Sequence, residues 1–391
     1  MIYTSKIFRP MFSCIAFVLA VLLLLTGSAP AQGMWTAKNP PPSPVTSMAV
    51  INGVIYGVES YALTFQAYHP ATDSWVALAP LLTGRGHTTA VAANGKLYVL
   101  GGCGDNSCSS VVKTVEEYDP TTDAWTTKAP MPTARRDFGA GAVSGKIYAV
   151  SGYGGVTAND EYDPTTNIWT TVAPIPTPHS SGAVAVANGT LYVIGGGDPN
   201  NSLVLSANNA YDPATNQWSQ AAPLPSPAFG AADALNGVVY FYFHLGVADL
   251  EAYNPATNSW TAQTPPPSPT SANVAAVNGV LYAIGAEADG VTYSNEAFTP
   301  VQTPAQLVST LVDTVANFNL QQGIQNNLDA KLQAAQASLA GATAHDINTT
   351  CNQIDAFINA VSAQSGKQLT VIQANQLNGQ AASIKGTLLC P

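Results

Sequence analysis

A six-bladed β-propeller followed by a small α-helical bundle is the fold that this 391-residue chain predicts. Three observations carry the prediction. All six tryptophans are followed five residues later by proline: Trp35/Pro40, Trp75/Pro80, Trp125/Pro130, Trp169/Pro174, Trp218/Pro223 and Trp260/Pro265. A unit recurring every 40 to 50 residues marks a repeat architecture. An Asn-Gly or Ser-Gly dipeptide also recurs six times, ending at Gly53, Gly95, Gly145, Gly189, Gly237 and Gly279, with a tyrosine three residues after each glycine. After Pro300 this pattern stops, tryptophan and tyrosine vanish, and Ala, Gln, Leu and Ile dominate.

Each repeat reads as four short antiparallel strands. Strand A is a run of small apolar residues such as 89–93, and strand B is a run such as 96–100. The Asn-Gly between them suits a two-residue turn that needs positive φ at both positions. Strand C ends in an aromatic-x-Pro unit: Tyr68/Pro70, Tyr118/Pro120, Tyr162/Pro164, Tyr211/Pro213, Tyr253/Pro255 and Phe298/Pro300. Asp or Asn between the two favours a turn, and the proline presets φ. Strand D carries the tryptophan. Such a sheet cannot bury both faces alone, so the copies must stack.

These motifs resemble the kelch repeat, whose pattern is a Gly-Gly doublet after strand B, then Tyr-Asp-Pro, then Trp. The doublet stands at Gly101-Gly102 and within Gly195-Gly196-Gly197, is degraded to Ser151-Gly152, and is lost in the first, fifth and sixth copies. The resemblance covers residues 35 to 301 and implies a kelch-type propeller. The sixth copy has no tryptophan after Pro300, and the chain begins with an orphan Trp35 strand. Trp35 is therefore expected to supply strand D of the last blade, leaving a ring with no unpaired end.

Three segments follow: 1–31, the propeller 32–301 and a C-terminal helical domain 302–391. The first reads as a secretory signal, with Lys6 and Arg9 before the apolar run 11–25 and a cleavage site near Ala31. The chain is thus expected to be secreted, extracellular or at the cell surface, with no membrane span in its mature form. Without the signal, 11 basic residues stand against 23 acidic ones, a net charge of −12. That balance argues against nucleic acid and anionic membranes as partners.

Four cysteines remain beyond the signal. An oxidising compartment favours disulfides, and the expected pairs are Cys103 with Cys108 and Cys351 with Cys390. In the C-terminal segment Ile324, Leu328, Leu332, Ala335 and Leu339 share one helical stripe. Ile347, Cys351, Ile354, Phe357, Ile358 and Val361 form a second, and Ala374, Leu377, Ala381, Ile384 and Leu388 a third. A first helix is expected over about 305–318. Residues 357–361, with Gly366, Lys367, Leu369, Thr370, Gln373 and Ala374, resemble the FIMAH-type module at the C-termini of bacterial extracellular proteins. That resemblance implies an exported bacterial protein and no chemistry.

No nucleophile elbow, zinc-protease, P-loop or dinucleotide motif occurs, so neither a cofactor nor a metal is expected. The three arginines beyond the signal, Arg85, Arg135 and Arg136, all fall in the connectors between strand D and the next strand A. Counting from the proline that ends each blade, position +5 reads Val45, Arg85, Arg135, His179, Ala228 and Thr270. Position +7 reads Ser47, His87, Asp137, Ser181, Gly230 and Ala272. Two residues apart on an extended strand face the same way. Arg85/His87, Arg135/Asp137 and His179/Ser181 are thus expected to form a polar arc at one channel mouth, or else to brace neighbouring loops. Tyr242 and His244 in blade five form a second candidate, a stacking platform for a sugar ring.

The expected function is a secreted, non-catalytic recognition module that binds a glycan or protein through the propeller face. A sugar epimerase or mutarotase of the kelch sialic-acid epimerase type and a structural surface protein are the alternatives. Galactose-oxidase-like chemistry would need a cysteine crosslinked to a copper-bound tyrosine, which paired propeller cysteines argue against.

Overall fold

A computed structural model describes residues 33–244, 249–267, 271–287, 291–301, 303–318, 320–339 and 344–390. The expected signal segment and Thr270 lie outside these residues. Six four-stranded antiparallel sheets are ordered A-B-C-D from the axis outwards. The six A strands are Ser47–Ile51, Thr89–Ala93, Gly139–Val143, Ala183–Ala187, Gly230–Leu235 and Ser271–Val277. Each packs against the A strand on either side, and the last packs against the first, so the ring is closed.

The N-terminal strand Met34–Ala37 closes it. It pairs antiparallel with strand C of the sixth blade, Tyr293–Thr299, placing Trp35 opposite Phe298. The fold is therefore a six-bladed kelch-type β-propeller whose last blade joins the two ends of its own sequence.

The tryptophan–proline spacing has a physical cause. Each Trp Nε1 donates to the carbonyl just before the proline of the preceding blade. Trp75 bonds Asn39, Trp125 bonds Ala79, Trp169 bonds Ala129, Trp218 bonds Ala173 and Trp260 bonds Ala222, all at 2.8–2.9 Å. Trp35 completes the circle on Thr264 at 2.9 Å. The amide of the same residue donates to an Asp or Asn of the next blade in five junctions: Asp73, Asp123, Asn167, Asn216 and Asn258. That Asp or Asn also accepts the hydroxyl of the aromatic-x-Pro tyrosine. Every such Asp or Asn sits at positive φ, which these two residue types tolerate better than most. One short segment thus satisfies polar groups in two blades.

The Gly-Gly doublet lets two backbones touch. A Cβ on Gly102 would lie 2.4 Å from the Gly86 carbonyl oxygen, and one on Gly101 would lie 2.6 Å from that of Arg135. In blade five Phe241 and Phe243 occupy this region, and Phe241 is fully buried against Leu224 and Ala228. The loop after strand B of the fourth blade carries a two-stranded ribbon, Gly197–Asp198 with Leu203–Val204.

Four helices follow: α1 (Pro304–Asn317), α2 (Gln322–Leu339), α3 (Ala344–Gln364) and α4 (Val371–Leu388). Thr303 and Gln306 cap α1 reciprocally, as Thr370 and Gln373 cap α4. Leu328, Leu332, Ile354, Phe357, Val361, Leu377 and Ile384 form their shared core. Ile347, placed on the stripe of α3 by periodicity, is 37 % exposed instead. It lies in the first turn of the helix. Cys351 and Cys390 are bonded, tying α3 to the chain end across a sequence separation of 39.

Candidate functional site

An axial cavity of about 630 Å³ runs between the A strands. Its wall is unusual in chemistry because strand A bonds strand B on one edge only. The other edge turns alternate backbone N–H and C=O groups towards the axis. Some are satisfied by a side chain of the preceding blade. Ser47 Oγ accepts from Ala90 N at 2.7 Å, Thr89 Oγ1 donates to Phe138 O at 2.6 Å, and Asn273 Nδ2 donates to Val45 O at 3.2 Å.

At the mouth formed by the D-to-A connectors, His87 Nδ1 lies 2.6 Å from Asp137 Oδ1. The two side chains are 43 % and 20 % exposed, and Ser181 and His244 line the same cavity. His244 Nε2 is 2.6 Å from Ala272 O, and burial lowers its pKa. Tyr61 packs edge-on to His87 at 6.2 Å, and Arg136 lies 4.0 Å over the ring of Tyr153. Cys103 and Cys108 are bonded beside this rim, and the Tyr61 hydroxyl is 3.2 Å from Cys108 Sγ.

The arc of +5 and +7 residues does not form as the spacing suggests. His87, Asp137 and Ser181 have φ of 55°, 49° and 52°. The chain is left-handed there, so the two-residue alternation of an extended strand does not apply. The +7 side chains turn to the cavity and the +5 side chains turn inwards. Arg85, Arg135 and His179 are each only 1 % exposed.

Each of these three braces strand C of its own blade. Arg85 Nη1 donates to Gly101 O and Thr114 O, and Nη2 pairs with Glu116 at 3.3 Å. Arg135 donates to Ala149 O, Ser151 O and Ala158 O and pairs with Asp160. His179 Nδ1 bonds Gly195 O at 2.6 Å, which leaves Nε2 to accept from Asn209 Nδ2 at 2.8 Å. Burial depresses the pKa of all three, opposed by Glu116, Asp160 and the Gly195 carbonyl respectively. Tyr242 is likewise fully buried, 6.5 Å from Trp35, so no sugar ring reaches its face.

The cavity wall holds one further ionisable residue that the repeat motifs do not mark. Asp233 lies three residues before the Asn236-Gly237 turn of blade five. The equivalent positions are Ala49, Val91, Gly141, Ala185 and Ala275. It is the one charged residue in the six A strands, and that count along aligned repeats would have found it. Its carboxylate accepts from Ala234 N and Ala276 N, both at 2.7 Å. Burial raises its pKa to about 6 against the effect of these two amides. Among the described residues lining the cavity there is no lysine or arginine. Among the described residues no group of three or more metal-ligating side chains converges.

Fold and site together define a kelch-type propeller with a polar-rimmed axial cavity. Residues 80–233 match the KLHDC2/KLHL20/DRC7 Kelch-repeats domain. Among solved structures, one titled "Structure of YjhT" aligns with a TM-score of 0.58 at 20 % identity, covering 67 % of this chain and 96 % of that one. At that identity the likeness speaks for the fold. No curated protein matches the chain significantly.

Proposed function

We propose that the protein is a secreted or cell-surface recognition module that binds a glycan or protein at the rim of its axial cavity. The observation that carries this reading is the His87–Asp137 pair at the mouth of the 630 Å³ cavity, with Ser181 and His244 beside it. Polar side chains over a small-residue shaft suit hydroxylated or amide-bearing ligands. Two disulfides and the apolar N-terminal run support export of residues 32–301 and 302–391 as two folded units. The helical segment's FIMAH-like residues support a bacterial extracellular setting.

A glycan array tests the reading, with a His87→Ala/Asp137→Ala variant beside the wild type. Saturable binding that the variant loses while keeping its melting temperature is the expected result. Equal binding by both proteins would remove the site assignment. A blank array followed by no partner captured on the rim from cell-surface extracts would remove the reading itself.

A second reading, a sugar epimerase or mutarotase, is favoured by one observation. Asp233 lines the cavity, and burial pushes its pKa up to about 6, towards the range of a proton-transfer group. NMR exchange spectroscopy with candidate sugars tests it, and exchange no faster than the uncatalysed background would eliminate it.

A further inference from the structure

The cavity below the rim has a charge that the propeller itself does not need. Capping an edge amide across blades takes only a neutral acceptor, as Ser47 does for Ala90. Asp233 performs the same task for Ala276 with a full carboxylate. Ala276 lies opposite Leu281, one residue pair from the Asn278-Gly279 turn, at a non-bonded position of the hairpin. Its N–H therefore points away from strand B and into the shaft. Ala234, opposite Val239, is placed in the same way. Bridging these two amides holds the Asp233 carboxylate at the shaft surface, with further lone pairs available on each oxygen.

Among the described residues no countercharge faces it. The A strands packed on either side, Ala183–Ala187 and Ser271–Val277, carry no ionisable residue. Strand B of blade five contributes Tyr240 opposite Asp233, and strand B of blade six contributes Tyr282; both titrate above their ordinary value and stay neutral. At the mouth the ionisable lining groups are His87, Asp137 and His244. Asp137 adds a second negative charge to the route inwards. Small neighbours at the register of Asp233, among them Ala49, Gly141, Ala185 and Ala275, leave the shaft open around it. The wall offers backbone carbonyls and amides in alternation, so the lone Asp233 carboxylate decides the sign and favours a positively charged hydrogen-bond donor over any anion.

We propose that the axial shaft is a binding site for a primary ammonium group, with Asp233 as its countercharge. The group would belong to an amino sugar, a lysine side chain or a short amine. The inference rests on the rim being the entrance for a ligand and assigns the chemistry of its inner end.

Putrescine is the probe and 1,4-butanediol its neutral control, compared by titration calorimetry with the purified protein. Putrescine is expected to bind saturably at pH 7.5 and the diol at least tenfold more weakly. Asp233→Asn should weaken putrescine at least tenfold. At pH 6 the measured heat should change with the ionisation enthalpy of the buffer, because an entering cation expels the proton from Asp233. This last measurement uses the wild-type chain and stands even if Asp233→Asn does not fold. Equal affinity for amine and diol, no amine binding, or buffer-independent heat at pH 6 would overturn the assignment. Amine failure alongside a glycan hit lost in the rim variant overturns the amine site alone; failure of both overturns the rim as well.

Discussion

At the residue scale, Arg135 shows how position decides the role of a side chain. Its guanidinium holds three carbonyls and a carboxylate with almost no contact with water. Removing it leaves Asp160 buried without its cation, a change that costs roughly 3–5 kcal/mol. Arg135→Ala is therefore expected to unfold at much lower urea, whereas a rim residue such as His87→Ala should melt like wild type. His179 has a signed pH consequence. Its folded pKa lies below the ordinary value, so the unfolded chain takes up a proton first as pH falls. Its contribution is fully present above about pH 6.5 and is lost below it. His179→Ala should lower stability at pH 7 by about 2 kcal/mol and flatten that part of the acid limb, followed by thermal melts from pH 7 to 5. An unchanged slope would mean that other groups carry it.

At the scale of elements, the strand Met34–Ala37 does more than its length suggests. It covers the open edge of Tyr293–Thr299 and delivers Trp35 to Phe298 at 5.0 Å and to the Thr264 carbonyl. Trp35→Ala should cost roughly 3 kcal/mol. Truncation to Met48 should also expose an unpaired strand, giving lower melting and concentration-dependent association by light scattering. A truncated chain that melts like wild type would contradict the closure. In the helical domain, the Cys351–Cys390 link closes a separation of 39 residues. Cys390→Ser should lower the stability of the helical signal by up to about 4 kcal/mol, monitored by circular dichroism with the propeller's tryptophan fluorescence unchanged.

At the scale of the whole molecule, six near-identical walls meet at an axis where one position breaks the pattern. Asp233 has a folded pKa of about 6, above the ordinary carboxylate value of about 3.9. For an acid shifted upwards, stability is greatest below the unfolded value and declines as pH rises through the folded one. The loss between pH 4 and 7 is expected to be about 2 kcal/mol, and Asp233→Asn should flatten it in urea titrations across that range. A bound ammonium should do the same without mutation, because it stabilises the ionised form. A pH profile indifferent to both changes would mean that water already solvates the carboxylate fully.

The propeller was legible because its repeat is a local record of long-range bonds. Trp and the residue before Pro lie four apart in the chain, yet each serves a different neighbouring blade, and that geometry recurs at every junction. The closing strand was legible for the same reason: Trp35 lacked a blade and the last blade lacked a tryptophan. The helical stripes were legible from periodicity, except that Ile347 in the first turn of its helix stays outside the core. The site was legible only in part. His87 and Asp137 line the mouth as their spacing suggested, but Arg85, Arg135 and His179 do not join them. A single left-handed residue in the connectors of blades two, three and four turns the +7 side chain to the cavity and the +5 side chain away from it, and φ is not encoded by residue spacing. The inward role of Asp233 needed the ring itself, since an isolated A strand has no axis to face and no shortage of countercharge around it.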